Sequence, residues 1–281
     1  MYTLIAQNKY GQQMELTHND AYVIESIEGL DPPDAVINTT RNANSDGSVF
    51  NSSYVDNRQI TITMAINGPA EINRINLYKY FKNKYPVRLF YKNASRDVFI
   101  DGYCKTIQIE MFNKKQIAQI IIVCPEPFFS GSETEMVDFS SIQGLFEFPF
   151  SISDHIPFSE IETEQEKDII NKGDVETGLE IYLTARGPLT DPVIYQASTN
   201  KYFKLNISLV KGDTIYINTK KKQKTVTLTH DGVTTNIISN LVNGSTWFSL
   251  NPGDNLFMTT AETSPENLDA YCILTDQFEG V

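Results

Sequence analysis

The chain has 281 residues, 41% of them apolar, so it is long enough for about two domains with buried cores. Its formal net charge of −12 would repel phosphate, which excludes a nucleic-acid-binding protein. No stretch reaches the roughly 18 apolar residues of a membrane span, and the opening "MYTLIAQNKYGQQ" lacks the pattern of a signal peptide. We therefore expect a soluble chain without sequence-specific nucleic-acid contacts and without a membrane span.

A polar segment is the first distinctive feature. Residues 41–58 are rich in Asn, Ser, Asp and Gly and lead into the alternating strand "RQITITMAI". A compact domain seldom carries a structureless loop of this length unless the loop has a function or is disordered. The spacing "NANSDG" matches the start of an EF-hand calcium loop, but Ser53 occupies the place of the bidentate Glu. The pattern predicts a functional segment that holds no metal.

One helix is predicted, over residues 69–84. Pro69 suits its first helical position, lysines near its end complement the helix dipole, and Pro86 terminates it. We expect its apolar side to pack on the sheet. That side contains Ile72, Ile75, Leu77, Tyr80 and Phe81.

Four strands should follow the helix as two hairpins, "VRLFY" with "DVFIDGYC" and "TIQIEMF" with "QIAQIIIVC". Because residues 120–123 are apolar on both faces, the last strand is predicted to lie centrally in a sandwich. The prolines of "CPEPFFSG" then close a first domain, which we place at residues 1–135.

Residues 136–176 are predicted to be a linker with one short strand, in which Phe146, Phe148 and Phe150 alternate. The acidic run at residues 159–168 is interpreted as a solvated loop, with cation binding as the less favoured alternative.

A second all-β domain is predicted at residues 177–281. Eight strand-like segments occur at the spacing of a sandwich, and Asp231-Gly232 indicates a tight hairpin, so an eight-strand jelly roll fits. The segments are "GLEIYLTA", "YFKLNISLV", "DTIYINT", "KTVTLTH", "VTTNII", "STWFSL", "NLFMTT" and "AYCILT". The chain's three cysteines lie in apolar runs, so no disulfide is expected.

No catalytic set is evident. The histidines His18, His155 and His230 are far apart, and no common nucleophile, phosphate-loop or metal motif occurs. We predict that the chain is not an enzyme and has no catalytic residue, cofactor or metal site. A carbohydrate-binding module is the alternative, because a jelly roll with Trp247 could stack on a sugar. One of Trp247 and Phe248 must face the core, and a core Trp is favoured.

The order of the predicted strand, helix and loop segments along the chain resembles that in the distal tail proteins of long-tailed bacteriophages and related prophages. The resemblance covers almost the whole chain and rests on "IEGLDPPDAVI", "DGSVFNSSYVDNRQITITMAI", "GPAEINRINLYKYF", "IIIVCPEPFF", "NKGDVETGLEI", "KGDTIYINT" and "STWFSLNPGDN". It implies a mainly β fold with two parts. The first is a tail-tube-like β-sandwich with one helix, and the second is a galectin-like or carbohydrate-module-like jelly-roll sandwich.

The resemblance also implies a structural virion protein. Such proteins form a hexameric ring that joins the tail tube protein to the tail-tip protein and to the baseplate or receptor-binding proteins used for host attachment. This chain would be synthesised in the cytoplasm of the bacterial host and would lie at the distal end of the virion tail. The alternative remains an accessory module that recognises host cell-wall glycans.

In such proteins the segment before the first long strand extends as an arm over the neighbouring subunit, which here corresponds to residues 39–58. A ring subunit needs two different contact surfaces, and a polar arm anchored by Val49, Phe50 and Tyr54 could supply one of them. The residues that we expect at the subunit interface are Arg41, Asn44, Asp46, Val49, Phe50, Tyr54 and Arg58.

Overall fold

The computed structural model describes residues 2–138, 142–144, 159–161 and 167–281. These residues form two compact units, Met1–Glu133 with Gln277–Val281, and Thr134–Asp276. The phenylalanines that were predicted to form a linker strand, at positions 146 to 150, lie outside the described residues. Among the described residues, no helix combines the length and apolar character needed to cross a bilayer.

A sheet and one helix build the first unit. Its elements are β1 (Thr3–Asn8), β2 (Gln13–Glu15), β3 (Tyr22–Glu28), β4 (Ala35–Thr40), β5 (Val49–Val55), β6 (Arg58–Ile66), α1 (Ala70–Tyr80), β7 (Pro86–Lys92), β8 (Asp97–Ile109), β9 (Gln116–Cys124) and β10 (Phe129–Gly131). The main sheet has the order β2-β1-β7-β8-β9-β6-β3, with β10 joined to β8. Among the described strands, β4 and β5 pair only with each other.

The alternation in β6 sets its register as predicted. Ile60, Ile62, Met64 and Ile66 are all buried in the core of the first unit. The central position predicted for β9 is also confirmed, because β9 pairs with β6 on one side and with β8 on the other.

Helix α1 differs from its prediction in length and in orientation. It runs from Ala70 to Tyr80, and Pro69 is its N-cap instead of its first helical residue. Leu77 and Phe81, one turn apart, are fully buried, whereas the side chains of Ile72 and Ile75 are 65% and 50% exposed. At about 100° per residue, these two isoleucines lie on the opposite side of the helix from Phe81. The five apolar residues therefore never shared one face.

The two predicted hairpins are joined by a single long strand. β8 pairs with β7 through its first half and with β9 through its second half. The register shifts between Cys104 and Thr106, where a bulge at Lys105 replaces the expected break. A bulge lets a strand bend and continue without turn residues, so the pattern of apolar segments alone could not place this join.

The second unit has more strands than the eight predicted. Its strands are β11 (Glu135–Asp138), β12 (Ile142–Gly144), β13 (Ser159–Ile161), β14 (Lys167–Asn171), β15 (Leu179–Ala185), β16 (Leu189–Gln196), β17 (Lys201–Lys204), β18 (Ser208–Leu209), β19 (Thr214–Asn218), β20 (Thr225–His230), β21 (Val233–Asn236), β22 (Gly253–Thr263) and β23 (Leu268–Leu274). Short 3-10 helices occupy Ala197–Thr199, Ile238–Asn240 and Pro265–Asn267. The last strand, β24 (Gln277–Phe278), pairs with β10 and belongs to the first unit.

Two sheets enclose the core of the second unit, in the orders β11-β23-β15-β19-β20-β21 and β14-β22-β16-β17, while β12 and β13 form a separate pair. The Asp231-Gly232 hairpin is confirmed, with both residues at positive φ. "STWFSL" is not a strand, and Phe248, not Trp247, is its buried aromatic residue. All three cysteines are buried and free. The mainly β prediction is thus confirmed.

A candidate subunit-docking arm

Strands β4 and β5 form a separate two-stranded hairpin, which we call the arm. Every residue of β4 is exposed, and in β5 only Val55 is partly buried. The predicted arm, residues 39–58, omitted most of β4, because "AVINTT" shows no alternation and follows the turn-like "DPPD". An isolated hairpin of this kind is marginally stable in water. A partner that covers the arm would therefore stabilise it.

Apolar side chains lie on both faces of the arm. Val36 is paired directly with Tyr54, so these two share one face, and Ile37 points to the other. Ile37 and Phe50 are 63% and 61% exposed, and Val49 is also exposed. Exposed apolar residues scattered singly are normal, but a cluster on one projecting element marks an interaction surface. The sequence identified three of these residues and missed Val36 and Ile37.

The strands of the arm are held in register by polar cross-strand contacts. The amide Nδ2 of Asn38 donates to Ser52 Oγ at 3.1 Å, and that of Asn51 donates to Thr40 Oγ1 at 2.6 Å. The turn between the strands contains Arg41, Asn44 and Asp46, all exposed. Strands flank this turn, whereas an EF-hand calcium loop joins two helices.

Arg58, by contrast, lies at the base of the arm and is 3% exposed. Its guanidinium donates to the carbonyl oxygens of Gly29 at 2.6 Å, Asp31 at 2.8 Å and Pro127 at 2.5 Å, and also to that of Glu279. Burial lowers the pKa of Arg58 from its usual value. Arg58 was predicted as an arm residue, but the structure places it inside the first unit, where it fastens the segments around the arm.

The guanidinium of Arg58 also lies over the Phe129 ring, 4.7 Å from its centroid. Gly29 approaches β6 so closely that an added Cβ would lie 2.1 Å from the carbonyl oxygen of Gln59, and its φ is +85°. Only glycine fits such a position. The base of the arm is thus a tightly packed buried site, in contrast to the exposed hairpin that projects from it.

Outside the arm, the described residues offer few candidate binding or catalytic groups. A groove of about 690 Å³ beside β3 is lined by Tyr2, His18, Asp20, Tyr22 and Asn67 among others. His18 and His230 lie in different units, and His155 lies outside the described residues. Within the part that the structure describes, no group of three His, Cys, Asp or Glu side chains is placed to hold a metal ion.

The aromatic residues of the second unit bear on the carbohydrate alternative. Tyr182 stacks on Tyr271, with ring centroids 4.7 Å apart. It also packs at a tilt against Tyr216, with ring centroids 5.1 Å apart. Trp247 is partly buried, edge-on to Phe203 at 5.2 Å. A sugar stacks on an open ring face, whereas each of these rings already packs against another aromatic ring. These contacts do not favour the carbohydrate alternative.

Family models of phage tail proteins match a segment of each unit. Residues 9–124 match the family model of the phage tail protein RIFT-related domain, and residues 172–270 match that of the siphovirus-type tail component, C-terminal domain. A search of curated proteins finds no match.

Solved structures show the same fold. The crystal structure of the SPP1 Dit protein, described as a hub of the adsorption apparatus in phages infecting Gram-positive bacteria, is 14% identical, with a TM-score of 0.72 over 99% of each chain. A chain of the phage P2 baseplate in its activated conformation with calcium is 13% identical, with a TM-score of 0.55 over 100% of each chain. A chain of the same baseplate with strontium is 12% identical, with a TM-score of 0.53 over 100% of each chain.

Proposed function

We propose, from the premise that this chain belongs to the siphovirus-type tail component family and has a structural role in the distal tail, that six copies form a ring closed by the arm. The first unit builds the ring, and the second unit offers the binding surface for the baseplate or receptor-binding proteins. The ring joins the tail tube protein to the tail-tip protein and to the baseplate or receptor-binding proteins. It acts without catalysis, at the distal end of the virion tail, after synthesis in the host cytoplasm.

The arm is the observation that supports this proposal. It exposes Val36, Ile37, Val49, Phe50 and Tyr54 on a hairpin that pairs with no other strand of the described chain. A ring requires a head-to-tail contact between two different surfaces of the same subunit, and a projecting apolar element suits one side of it. The arm thereby gains the covering partner that an isolated hairpin lacks.

Light scattering and limited proteolysis test the ring together. We expect a mass near six times 31.8 kDa and a ring with a central channel under negative stain. Trypsin should cleave after Arg41 in the free chain and be blocked in the ring, because the arm is then covered. Arg58 should resist trypsin in both states, since it is buried.

An arm-deletion variant, with residues 36–54 replaced by a short Gly-Ser loop, should remain folded and monomeric. The matched control replaces the exposed β20–β21 turn, Asp231-Gly232, with Asn-Gly and should assemble normally. Cleavage after Arg41 at the same rate in the free chain and in the ring would contradict the role of the arm. A chain that stays monomeric alone and when mixed with its tail tube protein would contradict the ring.

A further inference from the structure

A second exposed apolar surface lies on α1. Ile72, Ile75 and Tyr78 are spaced three residues apart and form one stripe on the helix side that faces away from the core. Ile72 and Ile75 are the two isoleucines that the sequence predicted to pack on the sheet. Their exposure leaves an apolar stripe for which the first unit itself offers no cover.

The β8–β9 turn extends this stripe. Phe112 is 99% exposed and Met111 is 44% exposed. Arg74 links the turn to the helix, because its guanidinium contacts Met111 Sδ and pairs with Glu71 of the same helix. The stripe on α1 and the β8–β9 turn therefore form one surface, which we call the acceptor surface.

The charge of the acceptor surface is opposite to that of the arm. Residues 69–85 carry four basic side chains and one acidic one, and residues 110–115 carry two basic and one acidic, in a chain whose net charge is −12. Residues 34–56, which contain the arm, carry three acidic side chains and one basic one. Two exposed apolar surfaces of opposite charge on one unit are complementary to each other in a second copy.

The two surfaces lie towards different ends of strand β6. The arm leaves β6 at its Arg58 end, whereas the start of α1 and the β8–β9 turn adjoin its Ile66 end, where Ile66 pairs with Gln116. At the usual strand rise, the nine residues of β6 span about 26 Å. Surfaces at opposite ends of one strand suit a head-to-tail contact that repeats around a ring.

We propose that the arm of one copy packs on the acceptor surface of the next copy. Phe50 and its apolar neighbours cover Ile72, Ile75, Tyr78 and Phe112, while the acidic side chains around the arm face the lysines around the helix. This inference rests on the proposed ring and names the surface that completes each of its contacts.

Cysteine cross-linking tests the contact directly. The native thiols are all buried, so Phe50→Cys and Phe112→Cys each add one accessible thiol. A mixture of the two single variants should give a disulfide-linked dimer under mild oxidation, and the double variant should give a ladder of linked copies. In the mixture each chain carries only one accessible thiol, so the linked dimer can only be a bond between two chains. The control pair, Phe112→Cys with Val233→Cys on the exposed β20–β21 hairpin, should give no specific product.

Charge insertion gives an independent readout. Ile75→Glu and Phe112→Glu should each raise the concentration needed for assembly by about tenfold or more, because each removes apolar contact and faces the acidic arm. Val233→Glu is the matched control and should assemble as the unchanged chain does. Circular dichroism should show all three variants folded, since the replaced side chains are exposed.

The outcomes separate this inference from the ring itself. If the arm deletion blocks assembly while both acceptor variants assemble normally and no cross-link forms, the acceptor surface is wrong and the ring proposal stands. If the arm deletion leaves assembly unchanged, the role of the arm is wrong and this inference fails with it. Cross-linking together with impaired assembly of both acceptor variants supports the contact.

Discussion

Replacing Arg58 with Met would remove the cation that fastens the base of the arm. Four carbonyl oxygens lose their donor. At about 1.5–3 kcal/mol for each charged hydrogen bond, the gross loss is about 6–12 kcal/mol. The variant no longer buries a guanidinium, which offsets several kcal/mol, and the Met side chain keeps part of the packing on Phe129. We expect the first unit to lose about 4 kcal/mol of its free energy of unfolding.

Two spectroscopic probes can assign that loss to one unit. The only tryptophan of the chain, Trp247, lies in the second unit, so its fluorescence follows the unfolding of that unit in urea. Far-UV circular dichroism follows both units. Arg58→Met should lower the urea concentration at which the first unit unfolds, which is seen by dichroism alone. The midpoint of the fluorescence transition, which reports the second unit, should stay unchanged.

Arg88→Met is the matched control. Arg88 makes a bidentate contact with Asp101, at 2.7 and 2.8 Å, but both side chains are substantially exposed. Such a surface pair is worth about 0–1 kcal/mol. The reasoning about the arm base is refuted if Arg58→Met costs no more than this control, or if the fluorescence midpoint falls as far as the dichroism midpoint.

Three further predictions concern other parts of the chain. His230 hydrogen-bonds to Asp213, which raises the pKa of His230 above the usual 6.5. The stabilisation that this pair gives the folded state is therefore full below pH 6.5 and is lost as the pH rises through the raised pKa. An unshifted His230 titration by NMR would contradict this prediction. Burial raises the pKa of the three cysteine thiols to about 11 or 12, so native protein at pH 8 should not react with a thiol reagent until urea unfolds it. Deleting Gln277–Val281 removes the Glu279 acceptor and should destabilise the first unit, with Trp247 fluorescence unchanged; equal destabilisation of both units would count against the assignment of these residues.

Local patterns predicted much of the fold, because most strands alternate without interruption. The register of β6 followed from its isoleucines, and the hairpin at Asp231-Gly232 followed from two residues that accept positive φ. β16 was missed because it contains Asp191-Pro192, and proline argues against an inner strand. It is nevertheless paired on both sides, and Asp191 takes a positive φ beside the proline.

The site was only partly predictable, because its base depends on contacts distant in sequence. Arginine is seldom buried, so Arg58 at the end of a polar segment looked like part of an exposed arm. Its acceptors Gly29, Pro127 and Glu279 come from three separate parts of the chain, and no local pattern connects them. The exposed isoleucines of α1 were misassigned for a related reason, since apolar character alone does not distinguish a core face from a docking face.

The return of β24 to β10 also has a consequence for biosynthesis. Domains generally fold as units during translation, beginning at the N-terminus, but β24 and the carbonyl of Glu279 emerge from the ribosome only after the whole second unit. Until then Arg58 lacks one of its acceptors and Phe129 lacks its strand partner Phe278. A chain whose translation stops early therefore has an incomplete arm base, and only a subunit whose second unit has been synthesised has all four acceptors of Arg58 in place.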